Sequence, residues 1–433
     1  MYGKINSSRD TIPESCPCCC CNPRRLCYNG TGKGAEALEK TVRKNKRLAV
    51  LIHTLTAAST LTATGTLMQT FLASLGLSPE QIYLHATLTQ AVNVATLLVG
   101  SRWIHGGNAL RRYAFASVPY GLLFLAVLPF CFRQAPTVET FLWLVVIGAF
   151  QAVAIGLRTV SSYIQPYLLY PAEDYGPLQS LSGILSSLVA LGLGTLISWL
   201  AQRIPFRVMM AWACCISAVL LLLEAVLTLL LRPIGDRGSP PGEKKSASIR
   251  ETFCHPAFYT LALPSLLRGI ASGTTTVFAA TAFDLGFREE TVAVLISLQS
   301  AAGLLGCALI GLLSRRISIR YPVLLGSLGF LLLPLFFLGN GPVFLAAATA
   351  VLLGRTLVDY GVPILLRKAV PVSIAGTYNA WRMILHTGGT LIATSVAALI
   401  PAPALIAVTV CASVLSGCGF FFSRVIRGSE AES

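Results

Sequence analysis

The chain has 433 residues, of which 54% are hydrophobic and only 12% charged, with a formal net charge of +15. At a mean hydropathy of +0.70, so many apolar residues exceed what a soluble core can hold, which excludes an ordinary globular enzyme and predicts an integral membrane protein. The positive charge alone would suggest a nucleic-acid partner, but its distribution along the chain argues against one.

Residues 1–47 read as a polar, basic, disordered tail with Cys16, Cys18, Cys19, Cys20, Cys21 and Cys27 in one cluster. Four adjacent cysteines lack the separated pairs of a zinc module, so neither metal nor cofactor is expected there. Lys33 to Arg47 suggests a short interfacial helix, basic on one side. The first long apolar run begins near Leu48, too late for a cleavable signal, and reads as a retained span. From there the chain divides into twelve apolar runs long enough to cross a bilayer as helices: 48–75, 81–101, 112–132, 141–166, 177–201, 207–231, 257–283, 289–313, 321–338, 343–366, 373–399 and 404–423. Residues 232–256, rich in Pro, Gly, Ser and Lys, form a linker between two bundles of six, 48–231 and 257–424, with a tail at 425–433.

With both termini inside, 25 of the 33 Lys and Arg lie on the cytoplasmic side, four (Arg133, Arg203, Arg207 and Arg288) outside and four (Arg158, Arg268, Arg355 and Arg382) within spans. The charge is therefore an insertion signal, predicting a multi-pass cell-membrane protein with cytoplasmic termini. Asn29-Gly30-Thr31, formally a glycosylation sequon, falls on the side where it goes unused.

The two sixes are related. RTVSSYIQPYLL at 158–169 aligns without a gap on RTLVDYGVPILL at 355–366. Their flanks repeat too: Gly76-Leu77-Ser78-Pro79-Glu80-Gln81 is answered by Gly286-Phe287-Arg288-Glu289-Glu290, and Gly100 by Gly311. This duplication, with an arginine deep in corresponding helices, is the pattern of a carrier built around a central site.

With its twelve spans and basic loops after the second and eighth, the chain resembles the major facilitator superfamily over residues 48 to about 424. The signature loop is only partly kept. GSRWIHGGNALRRY retains Gly100, Gly106 or Gly107, Arg111 and Arg112 without the acid, while GLLSRRISIR retains Gly311, Leu313, Arg316 and Arg320 with Arg315 in the acid's place and Ser318 in that of the second Gly. In the family this loop latches the halves by charge pairing; with the acid absent from both copies, the latch here uses other partners or is weak. The resemblance implies an all-α fold of two pseudo-symmetric six-helix bundles, a single-chain secondary transporter rather than an enzyme, and a cavity lined by the first, fourth, seventh and tenth spans.

Those spans are polar where the resemblance needs them to be. The first carries His53 and Gln69, the fourth Gln151, Arg158, Tyr163 and Gln165, the seventh Arg268, and the tenth Arg355, Asp359 and Tyr360. A guanidinium in hydrocarbon costs about 2.5–3.5 kcal/mol or more, so each needs water or a partner. Asp359 stands at i+4 from Arg355 and pairs with it along the helix, while Arg158 has Ser162 in that place. Two readings of Arg158 stay open: it receives an anionic or zwitterionic substrate, or it pairs with Glu173, Asp174 or Glu224 to hold the bundle together. The expected site is Arg158, Tyr163, Arg355, Tyr360, Arg268 and Gln69, with Asp359, His53, His386 and Glu224 as proton-coupling candidates. Asn379, Trp381, Arg382 and His386 form a polar stripe on the eleventh span. Protons as coupling ion, a multidrug exporter and a non-transporting receptor of the same fold remain alternatives. Small residues in the fifth span (Gly183, Ser186, Ser187, Gly192, Gly194) and the eighth (Gly303, Gly306, Gly311) predict close helix packing, and Pro166 and Pro363 predict kinks or helix ends at matching depths.

Overall fold

The computed structural model describes residues 32–63, 66–100, 109–132, 138–162, 165–170, 174–201, 203–234, 249–276, 286, 289–313, 317–338, 341–370, 372–397, 399–424 and 426. The cysteine cluster, the sequon, Tyr163 and most of the central linker lie outside them.

Among the described residues twelve long helices follow one another: α1 (Gly32–Ala63, continued by Thr66–Ser74), α2 (Pro79–Gly100), α3 (Ala109–Leu125), α4 (Val138–Ser162, continued by Gln165–Leu169), α5 (Tyr175–Ala201) and α6 (Phe206–Leu229), then α7 (Pro256–Thr276), α8 (Glu289–Leu313), α9 (Arg320–Leu328, tightening to a 3₁₀ helix over Gly329–Leu338), α10 (Gly341–Ala369), α11 (Val372–Ala397) and α12 (Ala402–Phe422). Eight of the described helices are long and apolar enough, by length and composition, to cross a membrane. Their outward faces carry exposed apolar side chains such as Phe115, Trp143, Phe150, Trp212 and Val226, as lipid-facing surfaces require.

One sequence expectation changes here. The helix begins at Gly32, so the second part of the expected tail is not a separate interfacial helix but the continuous start of α1. It is clipped to the bundle: Asn45 donates to the carbonyls of Leu169 (3.2 Å) and Arg232 (2.7 Å), and Lys46 pairs with Asp174 at 2.7 Å. Pro363 does not end its helix, since α10 continues as α-helix through it to Ala369, and Pro166 lies in the described piece Gln165–Leu169. A proline removes one backbone donor, which a packed helix tolerates when its neighbours hold it.

The duplication is visible in the packing. In the first half α1 packs on α5 and α6, α2 on α4, and α3 on α4 and α6; in the second, α7 packs on α11 and α12, α8 on α10, and α9 on α10 and α12. Each pair recurs with its labels raised by six. The turns repeat as well: Gly76 and Gly286 both adopt left-handed backbone, φ 86° and 82°, which other residues reach only with strain. A serine of the last helix donates to the first helix's backbone in each half, Ser217 to Ser59 O (3.0 Å) and Ser416 to Pro264 O (2.7 Å).

The halves meet along α5–α8 and α2–α11, again related by the same operation. Small residues permit the approach of α5 and α8, since a Cβ on Gly183 would come within 2.6 Å of Cys307 Sγ, and one on Gly303 within 2.8 Å of Ser187 Oγ. Within the second half α7 and α11 touch backbone to backbone: a Cβ on Gly269 would sit 2.0 Å from the His386 carbonyl, and one on Gly389 2.2 Å from that of Leu266. At the end where α1 turns into α2, Leu67, Phe71, Leu75, Ile197, Ala397 and Leu405 join one apolar cluster drawn from both halves and close it. The opposite end contains a cavity.

Candidate functional site

The first half contains a buried polar knot. Arg158, on α4, forks its Nη2 onto Glu224 of α6, 2.6 Å from Oε1 and 2.8 Å from Oε2, and also donates to the Tyr113 hydroxyl of α3 at 3.0 Å. Tyr113 donates in turn to Glu224. The guanidinium lies over the rings of Tyr113 and Tyr120, 5.0 and 5.1 Å from their centroids. Arg158 and Glu224 are only 7% and 0% exposed. Charges so enclosed are stable only as a pair with further hydrogen bonds, which is the arrangement found.

The second half treats its equivalent arginine differently. Asp359 of α10 is held by two guanidinium groups, Arg268 from α7 and Arg355 one turn back on its own helix at 3.3 Å. Arg355 donates also to Thr275 Oγ1 at 2.6 Å. Asp359 remains 34% exposed, because one face looks into the cavity between the halves.

That cavity has a volume of about 390 Å³, within the range of small-molecule sites. The second half lines it with Arg268, Asp359, Arg367, Asn379, Arg382 and His386. From the first half come His53, Tyr113, Gln165, Tyr170, Tyr175 and Gln179, with apolar Ile52, Leu169 and Leu231 among them. It reaches the end of the molecule at which α6 finishes and the last turn of α10 carries Arg367. There Arg367 stacks over the ring of Tyr175, 4.6 Å from its centroid, joining one half to the other across the mouth. Burial raises the pKa of the adjacent Tyr170 phenol, so it serves as a neutral hydroxyl.

The family model of the Major Facilitator Superfamily matches residues 50–394. The chain belongs to the major facilitator superfamily. It is thus a multi-pass membrane transporter with the superfamily's twelve-helix architecture, and not an enzyme. No curated protein sequence matches it significantly. Among solved structures, it is similar to a bacterial homologue of the iron transporter ferroportin in its outward-facing state (TM-score 0.63, 15% identity, 88% of this chain and 98% of that one). A D-xylose–proton symporter superposes with a TM-score of 0.64 at 14% identity, over 88% of this chain and 98% of that one. The nucleoside transporter NupG, in a mutant form, does so at 0.58 and 16%, over 88% and 100%.

Within this superfamily fold the expected site residues separate into groups. Arg268, Asp359, His53 and His386 line the cavity together. Arg158 does not: its side chain is turned to Glu224, which is the pairing alternative, and Glu224 itself is sealed behind Tyr113. Arg355 stands behind Asp359 and faces Thr275, bordering with Arg268 a second space of about 10 Å³. Tyr360 is absent from the cavity wall because its ring fills the gap over Gly183 at the meeting of the halves. Gln69 is buried in the continuation of α1 near the closed end, again away from the wall. Tyr163 lies outside the described residues. The α11 stripe proves to be part of the wall through Asn379, Arg382 and His386, whereas Trp381 packs on Phe253 of a short helix, Ile249–Cys254, at 5.0 Å.

Sequence reasoning missed Arg367, Tyr175, Gln179 and the lining role of Tyr113. A signal for Arg367 was present, since continuing the gapless repeat by one residue sets it opposite Tyr170, and both reach the cavity mouth.

Proposed function

We propose that this transporter moves a small organic anion by alternating access, with Arg268, Arg367 and Arg382 as the receiving groups and Asp359 as the proton-coupling group. The observation carrying this reading is the charge of the wall: three arginines against one aspartate among the described lining residues. Charge is poorly screened where two helical bundles largely exclude water, so a wall bearing several guanidinium groups favours an anion and disfavours a lipophilic cation. The positive-inside distribution of Lys and Arg supports a cavity facing the cytoplasm in this conformation, with both termini on that side.

Asp359 suits coupling because it belongs to both the wall and the arginine cluster. An anion that draws Arg268 toward itself removes a positive partner from Asp359, and the carboxylate then holds a proton more readily. Among the described residues, His386 and Arg382 of α11 and Arg355 and Tyr360 of α10 are other charged or titratable groups around it.

The test is uptake into liposomes containing the purified protein, with organic anions, neutral sugars and lipophilic cations offered under an imposed pH gradient. Uptake of an anion accelerated by the gradient is expected. Asp359→Asn is expected to keep anion exchange while losing accumulation driven by the gradient. Transport of lipophilic cations alone would overturn the reading in favour of drug export.

A further inference from the structure

We infer that Tyr360 is a positioning residue of the transport cycle, whose ring carries changes at the Arg268–Asp359–Arg355 cluster to the seam where α5 and α8 join the halves. This rests on the reading of Asp359 above and deepens it. α10 carries two pairs at i,i+4 spacing, one residue out of step: Arg355 with Asp359, and Thr356 with Tyr360. Such pairs lie on adjoining faces of one helix, about 100° apart. The first pair is tied to α7 by Arg268 and reaches the cavity at Asp359. The second lies on the seam. Thr356 fits against Gly306 of α8, where an added Cβ would come within 2.6 Å of the threonine Cγ2. The Tyr360 ring covers Gly183 of α5, where a Cβ would meet its Cε1 at 2.8 Å and its Cζ at 3.1 Å. Cys307 of α8 completes the contact: its Sγ lies 2.6 Å from that same Cβ position, and its carbonyl accepts from Ser180 of α5 at 3.4 Å.

The ring rests on glycine backbone, which has no rotamer to change. A shift of the ring is therefore taken up by α5 and α8 themselves, since packed interfaces move between discrete arrangements instead of deforming continuously. Pro363 places the flex point beside it. Lacking an N–H, this proline leaves the Asp359 carbonyl, four residues back, without its helical partner, so α10 is softest at the turn carrying Asp359 and Tyr360. While Asp359 is ionised, the Arg268 pair fastens that turn to α7. When the carboxylate takes a proton, or Arg268 turns toward an anion, the tie slackens and α10 is released against α5. The equivalent helix of the first half lacks this freedom, because Arg158 is bound to Glu224 of α6 and Tyr113 of α3. Movement at the seam thus starts from α10, and α4 follows as part of its bundle.

The experiment follows Cys307, 1% exposed, in the whole protein in liposomes, by N-ethylmaleimide labelling and mass spectrometry of its peptide. Asp359→Asn, which removes the charge that ties α10 to α7, serves in place of a substrate. It is expected to raise the labelling rate of Cys307 at least about fivefold, a coupling typical of residues in contact. Cys214, buried in α6 away from this seam, is expected to keep its rate. The rise is expected to persist in Tyr360→Phe, which keeps the ring, and to shrink to within about twofold in Tyr360→Leu, each compared with and without Asp359→Asn. No rise at Cys307 overturns the inference, and so does a parallel rise at Cys214, which would mark general loosening. An equal rise in Tyr360→Leu overturns the role given to the ring. Gradient-driven accumulation that survives Asp359→Asn in the uptake assay overturns the coupling reading alone, since the labelling decides separately whether Asp359 and the seam are linked.

Discussion

At the scale of single residues, the two equivalent arginines have opposite surroundings. Arg158 is neutralised by an acid on another helix and shut away, whereas Arg355 shares an acid that also faces the cavity. Removing one partner of the first pair leaves a buried uncompensated charge. Glu224→Ala is therefore expected to destabilise the protein by about 3–5 kcal/mol, and the double variant Arg158→Met/Glu224→Leu to recover most of that loss. Thermal unfolding in detergent checks both, and equal damage in the single and double variants would contradict the pairing. The sequence indicated that Arg158 needed a partner but not which one. Glu224 lies 66 residues on, and choosing among three acids depends on how α6 is rotated against α4, which no local pattern encodes. Asp359 was legible as a partner of Arg355 because i+4 spacing is local; its second partner, Arg268, 91 residues away, was not.

At the scale of helices, hydrophobic run length located all twelve, since a bilayer core imposes that length on every span. It failed where a boundary depends on side-chain clips instead: α1 extends back to Gly32 because Asn45 and Lys46 fasten it to neighbouring chain ends. Small residues foretold close packing without saying which of them meet a neighbour. Gly303 does, while Gly192 has open space around it. Gly389→Leu is expected to separate α7 from α11 and abolish folded protein, through a clash with backbone that has no rotamer to change, whereas Gly192→Leu is expected to leave yield and unfolding temperature nearly unchanged. Expression and size-exclusion profiles of the two variants provide the comparison.

At the scale of the whole molecule, the repeated packing and the paired left-handed glycines make two like bodies whose contact surfaces, α5–α8 and α2–α11, exchange under the same operation. The repeat was readable in the sequence, and the cavity between its copies followed from it; the unequal division of charge on the wall did not, because it depends on which way the arginines of α4 and α10 turn. Relative movement of the halves is testable at α5–α8. A Cβ on Gly303 would be 3.6 Å from that of Ser187, within the range of disulfides, so Ser187→Cys with Gly303→Cys is expected to cross-link on oxidation and to stop transport until reduced. Unaltered transport by the fully cross-linked protein would mean that this seam does not open.

The unbroken start of α1 has a mechanical consequence. Residues 32–44 precede the clip at Asn45 and continue as a helical rod about 20 Å long, at 1.5 Å per residue. Its described clips, at Asn45 and Lys46, hold it to the first half, so it turns with that half. A rigid-body turn of ~15°, comparable to known subunit rotations, sweeps its far end through about 5 Å, magnifying a small tilt near the pivot into a displacement that a neighbour at the membrane surface can feel or resist.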